Sequence, residues 1–131
     1  METFSVSSKS RNELIDITSD VTGAVQQSGI SDGACVVFTP HTTAAVTINE
    51  NADPSVKSDI TMKLSDVIDQ DSRFRHMEGN SDSHIKSSLV GCSEHILVED
   101  GRLVLGTWQG IMFCEFDGPR SRRVHVKVIG Q

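Results

Sequence analysis

His95-Ile96-Leu97-Val98-Glu99-Asp100-Gly101-Arg102-Leu103-Val104-Leu105 sets two short β-forming runs on either side of an Asp-Gly pair. Asp-Gly is the dipeptide that a two-residue hairpin turn prefers, so this stretch predicts a β-hairpin and points to antiparallel sheet. Downstream, Ile111-Met112-Phe113-Cys114-Glu115-Phe116 and residues 123–129 read as two further strands around Asp117-Gly118-Pro119-Arg120-Ser121. Val124, Val126 and Val128 alternate with His125 and Lys127, the pattern of a strand with one buried face.

Upstream, Ala34-Cys35-Val36-Val37-Phe38 and Ala44-Ala45-Val46-Thr47-Ile48 read as buried strands joined by Thr39-Pro40-His41-Thr42-Thr43. Thr3-Phe4-Ser5-Val6-Ser7 and Leu14-Ile15-Asp16-Ile17 read as two strands of one hairpin turning near Arg11-Asn12. Two helices are predicted. The first spans residues 18–28, with Val21, Ala24 and Val25 on one face and Gly29 as the stop. The second opens at Asp53-Pro54 and carries Val56, Ile60, Leu64, Val67 and Ile68 as one apolar stripe. Residues 69–83 lose all periodicity and read as a long polar loop. This order of elements fits an α+β fold of mainly antiparallel sheets with two helices packed on them better than a parallel βαβ fold.

A chain of 131 residues is about one average domain, so residues 1–131 are read as a single unit. Its formal charge of -6 argues against sequence-independent nucleic-acid binding, which draws on many cations. No apolar run is long enough to span a membrane, and Met1-Glu2-Thr3-Phe4 lacks the order of a signal peptide, so a cytoplasmic protein is expected. Of the three cysteines, Cys35 and Cys114 sit in apolar surroundings and are expected in the core.

His41 follows a strand and a proline, which would fix its ring at a strand end. His76 and His84 bracket the polar loop together with Glu78 and Asp82. Imidazole is the commonest metal ligand, and the spacing matches no closed structural zinc motif. The three histidines read either as an open metal site or as ordinary surface residues. His95 and His125 fall inside strand patterns and are read as facing solvent. Asn49-Glu50-Asn51-Ala52-Asp53 precedes a helix start, where Glu50 could act as a general base or Asp53 could simply cap. Trp108 lies between Gly106 and Gly110, suited to stacking on a ring substrate or to an interface. Arg120, Arg122 and Arg123 read as phosphate ligands or as a solvated turn.

Four strings occur in order along the chain: Pro40-His41-Thr42-Thr43-Ala44-Ala45, Asn49-Glu50-Asn51-Ala52-Asp53-Pro54, Ser83-His84-Ile85-Lys86-Ser87-Ser88-Leu89 and Gly106-Thr107-Trp108-Gln109-Gly110-Ile111. Together they resemble the YjbQ family, also called the secondary thiamine-phosphate synthase family. The resemblance implies a sandwich of two sheets with two helices, and a homotrimer. It also implies a divalent metal, zinc, on His41, His76 and His84, with Glu50 and Asp53 nearby as catalytic groups. Trp108, Gln109, Arg122 and Arg123 would bind a phosphorylated small-molecule substrate, and magnesium would accompany a pyrophosphate. The implied reaction joins a pyrimidine pyrophosphate to a thiazole phosphate with release of pyrophosphate. Metal-assisted hydrolysis of a small metabolite and a non-catalytic trimeric binding module are the alternatives.

Overall fold

The computed structural model describes residues 1–131. In chain order it holds β1 (Glu2–Ser7), β2 (Glu13–Asp16), α1 (Thr18–Ser28), β3 (Gly33–Phe38), β4 (Ala44–Glu50), α2 (Pro54–Val67), α3 (Ser81–Val90), β5 (Ser93–Glu99), β6 (Arg102–Leu103), β7 (Gln109–Glu115) and β8 (Ser121–Gly130). The strands form two antiparallel sheets, β1-β8-β3-β5-β6 and β2-β7-β4. The α+β class with mainly antiparallel sheets is therefore as the sequence predicts. Asp100 and Gly101, at φ 51° and 72°, join β5 to β6 with Val98 opposite Leu103. Positive φ at both turn residues matches the right-handed strand twist, which is why Asp-Gly serves here.

The sheets pack face to face. Val37, Val124 and Val126 of the larger sheet meet Val46, Ile111 and Phe113 of the smaller one, and Val21, Ala24 and Val25 of α1 close the core. The smaller sheet is also covered on its other face, where Ala45, Cys114 and Phe116 pack with Leu14, Leu64 and Val90. A strand buried on both faces needs no polar alternation, and residues 111–114 accordingly form an unbroken apolar run. β8 has one open face and alternates, with Val124 and Val126 buried and Arg123 and Lys127 exposed. Cys35 and Cys114 are buried as expected. No helix is long and apolar enough to cross a membrane.

Three expectations are corrected. β1 and β2 are not a hairpin: β1 pairs with β8 in one sheet, and β2 with β7 in the other. The linker between them crosses from sheet to sheet alongside the β7–β8 linker. Ser8 N–H donates to the Arg120 carbonyl at 3.0 Å, and Gly118 N–H to the Arg11 carbonyl at 3.1 Å. Second, there are three helices and not two. α3 buries Asp82, Ser83, Lys86 and Ser87, so its inner face is polar and carries no apolar stripe. Its hydroxyls bind backbone instead, Ser83 Oγ to the Phe116 carbonyl and Ser87 Oγ to the Ala44 carbonyl, each at 2.6 Å. Third, the stripe of α2 is only partly used. Val56, Ile60 and Leu64 are half-buried, Ile68 is buried, and Val67 is 69 % exposed.

Candidate functional site

Residues 39–43, between β3 and β4, are fixed to two successive residues of β8. Arg123 N–H donates to His41 Nε2 at 2.9 Å, and Thr39 Oγ1 donates to the Arg123 carbonyl at 3.2 Å. At the other end of the link, Arg122 Nη2 donates to Thr43 Oγ1 at 2.8 Å. The Arg122 guanidinium also grips the Glu115 carboxylate, through Nε at 2.9 Å and through Nη2. Both side chains are buried. Glu115 further accepts from Ser8 Oγ at 2.7 Å and from the N–H groups of Phe116 and Asp117. Burial alone would raise the Glu115 carboxyl, but the hydrogen bonds from Arg122, Ser8 and Asp117 outweigh it and hold the group below its usual range.

This arrangement defines the state of His41. An imidazole whose Nε2 accepts from a backbone N–H carries its proton on Nδ1 when neutral. Burial disfavours the charged ring, and the cations of Arg122 and Arg123 add to this, so its pKa is lowered. With the folded value below the unfolded one, the unfolded chain takes up the proton first as pH falls. The stability that neutral His41 contributes is complete above about pH 6.5 and declines below it. Thermal unfolding followed between pH 7 and pH 5 is expected to show a loss that His41→Gln reduces. An unchanged profile in that variant would leave the ring outside this linkage.

His41 and His84 face one cleft of about 530 Å³, lined also by Phe38, Thr42, Ser88 and Cys92. His84, on α3, meets His76 edge to face with ring centroids 5.4 Å apart, and His76 Nε2 lies 3.9 Å from Glu78 Oε2. The three histidines do not gather as one donor set: no group of three or more His, Cys, Asp or Glu side chains is placed to hold a metal. The hydrogen bonding at His41 gives the reason. One ring nitrogen accepts from Arg123 and the other carries the proton, so neither offers a lone pair to zinc. A three-histidine zinc centre does not fit the single chain in this conformation.

Glu50, Asp53, Trp108 and Gln109 lie at the far end of β4 and β7. Ala44 pairs with Glu115 at the His41 end, and Glu50 pairs with Gln109 at the other. The length of β4 separates the two groups by roughly 20 Å. Asp53 caps α2 by accepting from Ser55 N–H at 2.9 Å. Gln109 Oε1 accepts from Gly106 N–H at 2.8 Å and closes its own turn. Trp108 is 64 % exposed. Glu115, Ser8 and Thr43 were not singled out from the sequence, although a carboxylate inside the apolar run 111–116 was a usable signal. His95 is exposed as expected, whereas His125 is half-buried, stacks on Phe38 and bonds Thr3 Oγ1.

Fold and cleft define a small two-sheet α+β protein with a histidine-lined cleft at one pole of the smaller sheet. The UPF0047 protein YjbQ-like family pattern matches residues 2–131. A UPF0047 protein of Methanocaldococcus jannaschii is 56% identical over 127 residues, covering 97% of this chain and 92% of the relative. UPF0047 protein YugU of Bacillus subtilis is 51% identical and covers 99% of both chains. Among solved structures, a YjbQ/UPF0047 protein of Clostridium acetobutylicum superposes with a TM-score of 0.96 at 53% identity, covering 98% of this chain and 100% of that one. The chain belongs to the YjbQ family.

Proposed function

We propose that the cleft binds a phosphorylated small molecule, with Arg123 and the free edge of Arg122 as the cations beside His41 and His41 itself as a neutral hydrogen-bond donor. The carrying observation is the bond from Arg123 N–H to His41 Nε2, which leaves the Nδ1 proton as the ring's donor to a ligand. Arg122 is held by Glu115 and Thr43 through Nε and Nη2, and its Nη1 alone makes no bond within the chain. Arg123 is exposed and its guanidinium is unpaired. Guanidinium N–H groups suit phosphate oxygens, and donors fixed in advance stabilise charge that develops there.

The resemblance to thiamine-phosphate synthase supplies a trial reaction. The thiazole nitrogen attacks the pyrimidine methylene, a C–N bond forms as the C–O bond breaks, and pyrophosphate leaves with the electron pair. Arg123, Arg122 Nη1 and the His41 donor would take up the leaving charge, and magnesium would arrive with the pyrophosphate. The working form is a homotrimer, a reading supported by apolar side chains facing outward on α2 and α3, including Met62 at 56 % and Leu89 at 68 % exposure. In calorimetric titration with pyrophosphate, Arg123→Ala is expected to weaken binding about ten- to a hundredfold, the ~1.5 to 3 kcal/mol of a charged hydrogen bond. Zinc titrated onto the same proteins should lose affinity in His76→Ala and His84→Ala but not in His41→Ala. Equal pyrophosphate binding with and without Arg123 would end the phosphate reading and favour a non-catalytic module.

A further inference from the structure

We propose that each cleft is completed by the Trp108 turn of a second copy, so that the working site lies between protomers joined head to tail. In one chain the residues suited to a ligand site are divided between two poles of the smaller sheet, with Glu50 and Trp108 at one and His41 and His84 at the other. A second copy docked pole to pole brings the two halves together without any change of fold.

The Trp108 turn is built to project. Asn51 N–H donates to the Trp108 carbonyl at 2.8 Å, and Gln109 N–H to the Gly106 carbonyl at 3.1 Å. A side chain at Gly110 would place its Cβ 2.6 Å from the Asn51 Cβ, so this close approach requires glycine. The turn is thus held on both sides while the only Trp of the chain points out at 64 % exposure. The opposite pole offers apolar surface in return. α3 turns its polar face inward, so Ile85 and Leu89 face out at 37 % and 68 %, and Phe38 at the cleft is 39 % exposed.

Charge matches as well. Asp16 and Glu50 flank the Trp108 pole, where Asn51 Nδ2 bonds Asp16 Oδ2 at 2.8 Å. Beside His41, Glu115 balances Arg122 and Asp117 balances Arg120, which leaves the Arg123 guanidinium as the unpaired cation of that pole. Unlike patches meeting head to tail make a heterologous contact, and such contacts close into rings when the rotation permits. Aromatic anchors seated in a partner's cleft carry a large share of such interfaces. The placement rests on the cleft being the ligand site, but the contact itself needs no ligand, so assembly and binding fail separately.

The test uses the full chain, its single Trp as reporter, and Cys92 as the one exposed thiol. Light scattering should give a multimer, acrylamide should quench Trp108 weakly, and a bulky maleimide should react slowly with Cys92. Trp108→Ala, folded by circular dichroism, should react at Cys92 several-fold faster. A monomeric wild type, a multimer whose indole is quenched like free tryptophan, or a Cys92 rate unchanged by Trp108→Ala would each overturn the proposal. Pyrophosphate titration is run beside it: loss of binding with the shielded indole retained refutes the ligand reading alone.

Discussion

Arg122→Ala is expected to destabilise the fold by about 3–5 kcal/mol, the cost of leaving a buried charge without its partner. Arg122 and Glu115 are 2 % and 0 % exposed, so the truncation would leave the carboxylate buried without its guanidinium. Ser8 and two backbone N–H groups would still face it but would not neutralise it. The loss is large against a total stability of about 5–15 kcal/mol for a domain, and urea unfolding would read it as a lower midpoint. Exchanging both partners, Glu115→Leu with Arg122→Met, should restore much of that loss, since the desolvation penalty goes with the charges. The double variant should nevertheless bind pyrophosphate poorly, because residues 39–43 lose their anchor at Thr43. A mild effect of Arg122→Ala, within about 1 kcal/mol, would mean that the pair is hydrated and contributes no more than a surface salt bridge.

What the sequence could not disclose follows from where polar groups are buried. The Asp-Gly turn, the alternation in β8 and the Asp53-Pro54 cap each write a local rule into adjacent residues, and each element forms where that rule puts it. α3 defeats periodicity because its inward positions are Asp82, Ser83, Lys86 and Ser87, satisfied by partners distant in the chain. The false hairpin has the same origin. β1 and β2 are close in sequence, but the link between them has no hairpin turn signal and is tied by Ser8 to the residues around Arg120. At the site, His41 and His84 were legible as histidines beside strand and loop, and they do share a cleft. That Gln109 closes its own turn and that Arg122 serves a buried carboxylate depends on contacts that one-dimensional spacing does not contain.

Asp82→Asn should be the most damaging change on α3, at about 3 kcal/mol, because it strips a buried ammonium of its main balancing charge. Lys86 is 2 % exposed. Its Nζ donates to Asn12 Oδ1 at 3.1 Å and Ser65 Oγ at 3.2 Å, and it lies 5.9 Å from the centroid of the Phe116 ring. None of these carries negative charge. Burial pushes the Lys86 pKa down, and Asp82, one turn earlier on the helix, opposes that shift most, with Asp69 adding to it and Arg11 working against it. Asp82 is itself 2 % exposed and accepts from Arg11 at 3.1 Å and Gln70 Nε2 at 3.2 Å. Arg11 can turn to water when the carboxylate is neutralised, since its side chain is 42% exposed, but Lys86 cannot. The cost should therefore depend on Lys86. In a Lys86→Met background, Asp82→Asn should cost less by about 1–3 kcal/mol, the coupling expected of groups in one network. Because α3 carries His84 and Ser88 into the cleft, the single variant should also loosen pyrophosphate binding, and the Met background should recover it. Equal costs in the two backgrounds by urea unfolding would show that Asp82 serves Arg11 and Gln70 alone, and that Lys86 is held by Asn12, Ser65, the Phe116 ring and the charge of Asp69.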